Sequence, residues 1–190
     1  MSSVDLFTRL AESHKPDCIL SLEGPAPEAV PDPAKLASVL GSDAAGLYAR
    51  ACHPIYENLR RIIGQLSGLL ILARLTGRSE MADLQEMERC RSRWSDTDER
   101  LRRLSAPVGL SRHKLQLESA HAFSGDVMRA LADLRTAVDN SERLDRMSLQ
   151  IKRAYTHLDA ASSEKAKLQM VDFSHACCAC ASKYESTETI

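Results

Sequence analysis

Apolar residues recur every three to four positions through most of the chain after residue 54, the spacing of one helical face. Ile55, Leu59, Ile62, Leu66 and Leu69 form the first stripe. They predict a helix from about Pro54 to Thr76, because proline suits a first turn and Gly77 suits a C-terminal stop. A second helix begins at Ser79, a good N-cap, and ends near Ser105. Its stripe is sparser: Met81, Leu84, Met87, Trp94, Leu101 and Leu104. A third follows Pro107–Gly109 with Ser111 as its cap and carries Leu117, Ala120, Ser124, Val127, Leu131, Leu134 and Val138. The fourth starts near Ser141, where Asp139 and Glu142 stand in capping-box spacing. Leu144, Met147, Ile151, Ala154, Leu158 and Ala161 follow it cleanly. A last stripe, Ala166, Met170, Phe173, Cys177, Cys180 and Tyr184, is offset by a step of five. Either the helix breaks near Ser162–Ser163 or its end packs on a different neighbour.

Breakers divide the chain unevenly. Four of the seven prolines fall between Gly24 and Pro33. That run predicts an extended linker, since each proline fixes φ and lacks an N–H. No Gly or Pro occurs from Asp126 to Ile190. Long helices joined by short turns become antiparallel neighbours. The expected architecture is therefore all-α: an antiparallel four-helix bundle with long helices, preceded by a Pro-rich extended N-terminal arm. Residues 1–45 form the acidic arm, with a short helix around Val4 to Glu12. Residues 46–182 form the bundle and 183–190 a C-terminal tail.

Composition agrees with this. Leu numbers 25 and Ala 24 of 190 residues, and 44% of the chain is apolar, enough for a core. The 25 basic and 26 acidic residues leave a net charge of −1. No global field recruits nucleic acid or an anionic membrane. The longest uncharged apolar-rich run, Ile62 to Ala73, is too short to span a bilayer. No basic segment followed by an apolar one marks the N-terminus as a signal peptide, so a cytoplasmic protein is expected.

Charge is uneven along the chain. Residues 1–45 hold seven acids and three bases, whereas Arg89 to Lys114 holds eight bases and three acids. Arg89, Arg93, Arg100 and Arg103 fall on one side of the second helix beside Trp94. This is a candidate interaction face for an acidic protein surface, and the acidic arm is itself such a surface. Asp96, Asp98 and Glu99 interrupt it.

Cysteine and histidine supply the candidate chemistry. In the run His175 to Cys180, Cys177 and Cys180 have the spacing of half a zinc site, yet no second Cys or His pair accompanies them. On a helix they share the face of Met170 and Phe173, so core packing is the expected role. Glu118 with His121 and Asp172 with His175 repeat a Glu/Asp-x-x-His spacing known from di-iron bundles. His53, Glu57, Glu118, His121 and His157 come to about one height. Glu118 and Asp172 lie on the polar sides of their helices, which argues against a metal centre.

The run His121-Ala122-Phe123-Ser124-Gly125 partly resembles the His-x-x-Lys-Gly motif of histidine phosphotransfer domains. In this chain Ser124 stands where that family has lysine. The resemblance implies a four-helix bundle with His121 as an exposed phosphoacceptor, and an imidazole on an open helix is competent for that step. His121 lies roughly 95° off its helix's apolar stripe and is expected to be accessible. The plain alternative is a histidine beside a packing glycine.

No phosphate-binding glycine loop, dinucleotide fingerprint, nucleophile elbow or zinc-protease motif is present. The reading is a non-catalytic helical interaction or regulatory module without cofactor or metal. Self-association as a homodimer is expected, because Leu69, Leu70, Ile71 and Leu72 place apolar groups all round the first helix, with Gly64 and Gly68 beside them.

Overall fold

A computed structural model describes residues 30–76, 85–136 and 141–170. Among them all regular structure is helical, apart from one isolated antiparallel bridge between Ser163 and Leu168. The helices are α1 (Pro33–Leu40), α2 (Asp43–Thr76), α3 (Gln85–Arg103), α4 (Ser111–Ala132) and α5 (Ser141–Ala160), with a 3-10 turn at Asp133–Thr136 after α4.

The first part departs from expectation. Pro33 opens a helix instead of ending extended chain. Asp32 provides the cap, its carboxylate accepting from the Ala34 N–H at 3.0 Å. Proline at the first helical position loses nothing, because that N–H has no partner in any helix. Gly41, at φ 82°, closes α1 and donates to the Ala37 carbonyl at 2.9 Å. The Ser42 hydroxyl then accepts from Ala45 N–H at 3.2 Å and starts α2. The expected arm of residues 1–45 is thus helical where it is described. The helix expected from Pro54 begins eleven residues earlier, at Asp43. Residues 1–29, with the expected helix at Val4 to Glu12, lie outside the described residues.

Pro54 sits inside α2. An interior proline costs about 3 kcal/mol. The turns on either side bury Tyr48, Ala49, Cys52, Ile55 and Tyr56. A single fully buried Ile-sized side chain stabilises by roughly 1.5–3 kcal/mol. Packing therefore outweighs the break, and local propensity yields to the core.

The long helix α2 touches each of the other four. Two clusters lie along it. One gathers Tyr48, Ile55 and Leu59 with Leu101, Leu117 and Leu158. The other gathers Ile62, Leu66 and Leu69 with Met87, Val127, Leu131 and Met147. The most extensive pairing is α4 with α5. Its antiparallel register is marked by the His157 Nδ1–H donating to Gln116 Oε1 at 2.6 Å, and by Phe123, which stacks on His157 and lies under Arg153.

Helix α5 ends at Ala160, where the change of face near Ser162–Ser163 predicts a break or a new neighbour. Ser163 and Leu168 exchange backbone hydrogen bonds of 2.8 and 2.9 Å around a turn with Lys167 at φ 55°. That turn returns Ala166 and Leu168 to the core. Residues 171–190, including the last stripe and the expected tail, lie outside the described residues.

At Gly46 two helices approach closely. A Cβ there would stand 2.6 Å from the Ala37 nitrogen and 2.6 Å from the Pro33 carbonyl oxygen, both backbone atoms of α1. Backbone cannot turn aside as a side chain can. Gly46→Ala is expected to lower unfolding free energy by about 1–3 kcal/mol, the usual cost of overpacking, measured as a shift of the urea midpoint. An unchanged midpoint would contradict the close crossing of α1 on α2.

Candidate functional site

The candidate residues on α3 and α4 come together at one place. Trp94 projects from α3 onto α4, and its ring stacks on His121 with centroids 4.2 Å apart and planes 12° from parallel. The indole N–H donates to the His121 carbonyl at 3.1 Å. In return, His121 Nε2 lies 3.1 Å from the Trp94 carbonyl. A carbonyl only accepts, so Nε2 carries the proton and donates. Each residue thus bonds the other's backbone while the rings stack.

Gly125 makes this approach possible. The indole reaches the His121 carbonyl by passing over residue 125, one turn further on. A Cβ at Gly125 would stand 2.9 Å from Trp94 Cζ2 and 3.1 Å from Cε2 and Nε1. Ser124, the position of lysine in the phosphotransfer motif, is buried and donates back to the Ala120 carbonyl at 2.7 Å.

His121 is only 7% exposed. The expectation that it is accessible is corrected. The reason is that α4 is covered on more than one side: it touches α2, α3 and α5. The flank that lies off the apolar stripe is the one α3 covers. Burial lowers the basicity of His121 below the usual histidine value, against the opposing effects of its bond to the Trp94 carbonyl and the Asp98 charge; Arg102 lowers it further. A phosphoacceptor needs an open ring nitrogen. This ring is enclosed, and its Nε2–H is spent on a backbone carbonyl.

The arginine face is largely occupied by its own helix. Arg100 Nε donates to Asp96 at 2.8 Å, Arg102 pairs with Asp98 at 2.6 Å, and Arg103 pairs with Glu99. Arg93 reaches across to Gln65 Oε1 at 2.7 Å. Asp96 also accepts from Asn58 on α2 at 2.9 Å. The three acids that interrupt the basic run are therefore partners of its arginines. Arg89 is exposed at the start of the same helix. Exposed pairs of this kind contribute about 0–1 kcal/mol each.

His113 forms a second, part-buried contact. Its Nε2–H donates to the Ala161 carbonyl at 3.0 Å, leaving Nδ1 to accept from the Tyr48 hydroxyl, also at 3.0 Å. One imidazole thus ties α2 and α4 to the end of α5. Burial lowers its basicity as well. The only signal in the sequence was spacing: Tyr48, Cys52, Ile55 and Leu59 extend the apolar stripe of α2 back past Pro54.

Among the described residues no group of three or more His, Cys, Asp or Glu side chains is placed to hold a metal ion. Cys177 and Cys180 lie outside the described residues. The thiols of Cys52 and Cys90 are buried, and burial pushes them up to about 12 and about 11. Among the described residues, no helix is long and apolar enough to cross a membrane. The chain matches no family model, no curated protein and no solved structure.

Two measurements follow from this geometry. Gly125→Ala forces the indole away from α4 and is expected to destabilise by about 1–3 kcal/mol. Trp94 is the chain's only tryptophan. Its emission should therefore shift to longer wavelength, whereas an unmoved spectrum would show the close approach to be wrong.

The second concerns pH. His113 and His121 bind protons less readily when folded than when unfolded. Stability is then fully present above the unfolded value near 6.5 and is lost as pH falls below it. Urea midpoints should decline from about pH 7.5 to 5.5, above the range where ordinary carboxylates titrate. A midpoint that rises over that interval would reverse the assigned sign.

Proposed function

We propose that the chain is a non-catalytic helical interaction or regulatory module, with α2 to α5 as an antiparallel four-helix bundle that pairs with a second copy of itself. The observation carrying this reading is the outer face of α2. Gly64 and Gly68 are exposed, with no neighbouring group within 4 Å of an added Cβ. Ile71 is 58% exposed and Leu75 80%. At i, i+4, i+7 and i+11 the four share one face.

The face is complementary to itself. Two copies laid antiparallel about a two-fold axis between residues 69 and 70 set Gly64 opposite Leu75 and Gly68 opposite Ile71. Each branched side chain then enters the gap above a glycine of the other copy. A two-fold interface of this kind uses the same patch twice. The enclosure of His121 favours a binding role over phosphoryl relay. The internal pairing of Arg93, Arg100 and Arg103 favours the α2 face over the α3 face as the main contact. An acidic protein surface remains the partner class for the α3 arginines, with Arg89 exposed at its edge. The free, buried thiols of Cys52 and Cys90 suit a reducing compartment such as the cytoplasm.

Light scattering tests the reading. The protein should have twice the chain mass of 21.0 kDa. Leu75→Glu should return it to the single-chain mass with unchanged helix content, because that side chain is exposed and its replacement leaves the core intact. A wild-type mass of one chain at high concentration would overturn the self-association.

A further inference from the structure

Helix α3 covers the inner side of α2 and α4. Met87 and Cys90 of α3 belong to one apolar cluster with Ile62 and Leu66 of α2 and Val127 and Leu131 of α4, and Trp94 packs at its edge. Near its other end α3 adds Leu101 to the second cluster. Of its nineteen residues only Met87, Cys90, Thr97 and Leu101 are buried. The Thr97 hydroxyl donates to the Arg93 carbonyl of the same helix, so it attaches α3 to nothing else.

The charges of α3 do not attach it either. Glu88 pairs with Arg91, Asp96 with Arg100, Asp98 with Arg102 and Glu99 with Arg103, all within the helix. Such pairs support the helix that carries them, docked or not. Among the described residues, the polar links from α3 to the bundle are Arg93 to Gln65, Asn58 to Asp96, and the mutual bonds of Trp94 and His121. Just past its end Lys114 donates to the Leu104 carbonyl.

The other helices are joined without α3. Ile55, Leu59, Leu117, Ala154 and Leu158 pack α2, α4 and α5 together. His113 ties Tyr48 to the Ala161 carbonyl. Arg74 of α2 bonds Asp145 and Ser148 of α5, and His157 of α5 bonds Gln116 of α4.

We propose that α3 is a strap that opens as a unit while α2, α4 and α5 stay packed, uncovering the groove lined by Ile62, Leu66, Val127 and Leu131. Local opening starts where buried apolar contacts are few, and α3 is such a region. Trp94 is the latch, because its ring and its N–H both engage α4. Closed, the strap fills the groove with a helix; open, it leaves an apolar surface shaped to receive one. The groove is the inner side of α2. The exposed outer face with Gly64, Gly68, Ile71 and Leu75 is separate from it, so the strap does not depend on self-association.

Thiol labelling of the full chain without denaturant, with the products located by mass spectrometry, tests this. Cys90 lies under the strap and Cys52 in the α2 packing, and both are fully buried. Each thiol reacts only after an opening that frees it. Cys90 is expected to react at least about tenfold faster than Cys52, because opening the strap costs less than unfolding the chain. Low urea should hardly change the Cys90 rate, since the strap exposes little surface, whereas Cys52 should follow the full slope of unfolding. His157→Ala removes the bond to Gln116 and the stack on Phe123, both between α4 and α5. It should speed the labelling of Cys52 and leave that of Cys90 unchanged. A Cys90 rate no greater than that of Cys52, or the same urea slope for both, would overturn the proposal. So would a His157→Ala protein in which both thiols speed up alike.

Discussion

The reciprocal contact of Trp94 and His121 fixes where α3 lies. That helix is the most polar of the described set: its buried residues are Met87, Cys90, Thr97 and Leu101. A helix with so narrow an apolar face gains little orientation from burial alone. Two hydrogen bonds crossing between α3 and α4, with a stacked ring pair between them, supply direction that hydrophobic contact lacks. The same contact determines the residues opposite. His121 must turn inward, and residue 125 must have no Cβ. The run from His121 to Gly125 is thereby accounted for as the receiving surface of an indole, with Ser124 enclosed behind it.

The helices were readable because they are amphipathic over many turns. The stripe from Ile55 to Leu69 and that from Leu117 to Leu134 coincide with buried residues of α2, of α4 and of the 3-10 turn after it. Two prolines were misread: Pro33 as the end of an extended linker and Pro54 as the start of a helix. One stands where its missing N–H does not matter, and the other where the surrounding core compensates for it. Gly46 gave no local hint of a close crossing, since its partner is the backbone of another helix.

At the site, the sequence identified the participants but not their relation. His121, Trp94 and Gly125 each stood out, and a helical wheel put His121 on an open flank. A wheel describes one helix and knows nothing of the neighbour that covers its second face. His113 shows the same limit. Its two partners are Tyr48 and the Ala161 carbonyl, and neither periodicity nor charge encodes such a meeting. The basic run on α3 was legible as charge, but local pairing with Asp96, Asp98 and Glu99 quiets much of it. The recognition surface proposed for the chain is therefore apolar and lies on α2.

The state of the His121 ring decides between a packing group and a chemical one. Long-range proton–nitrogen correlation of the histidine rings at neutral pH reads it directly. An enclosed His121 donating to the Trp94 carbonyl predicts a neutral ring with its proton on Nε2 and Nδ1 bare. A ring that is protonated at neutral pH, or that averages between both tautomers like a solvated side chain, would contradict the assignment of this residue to the joint between α3 and α4.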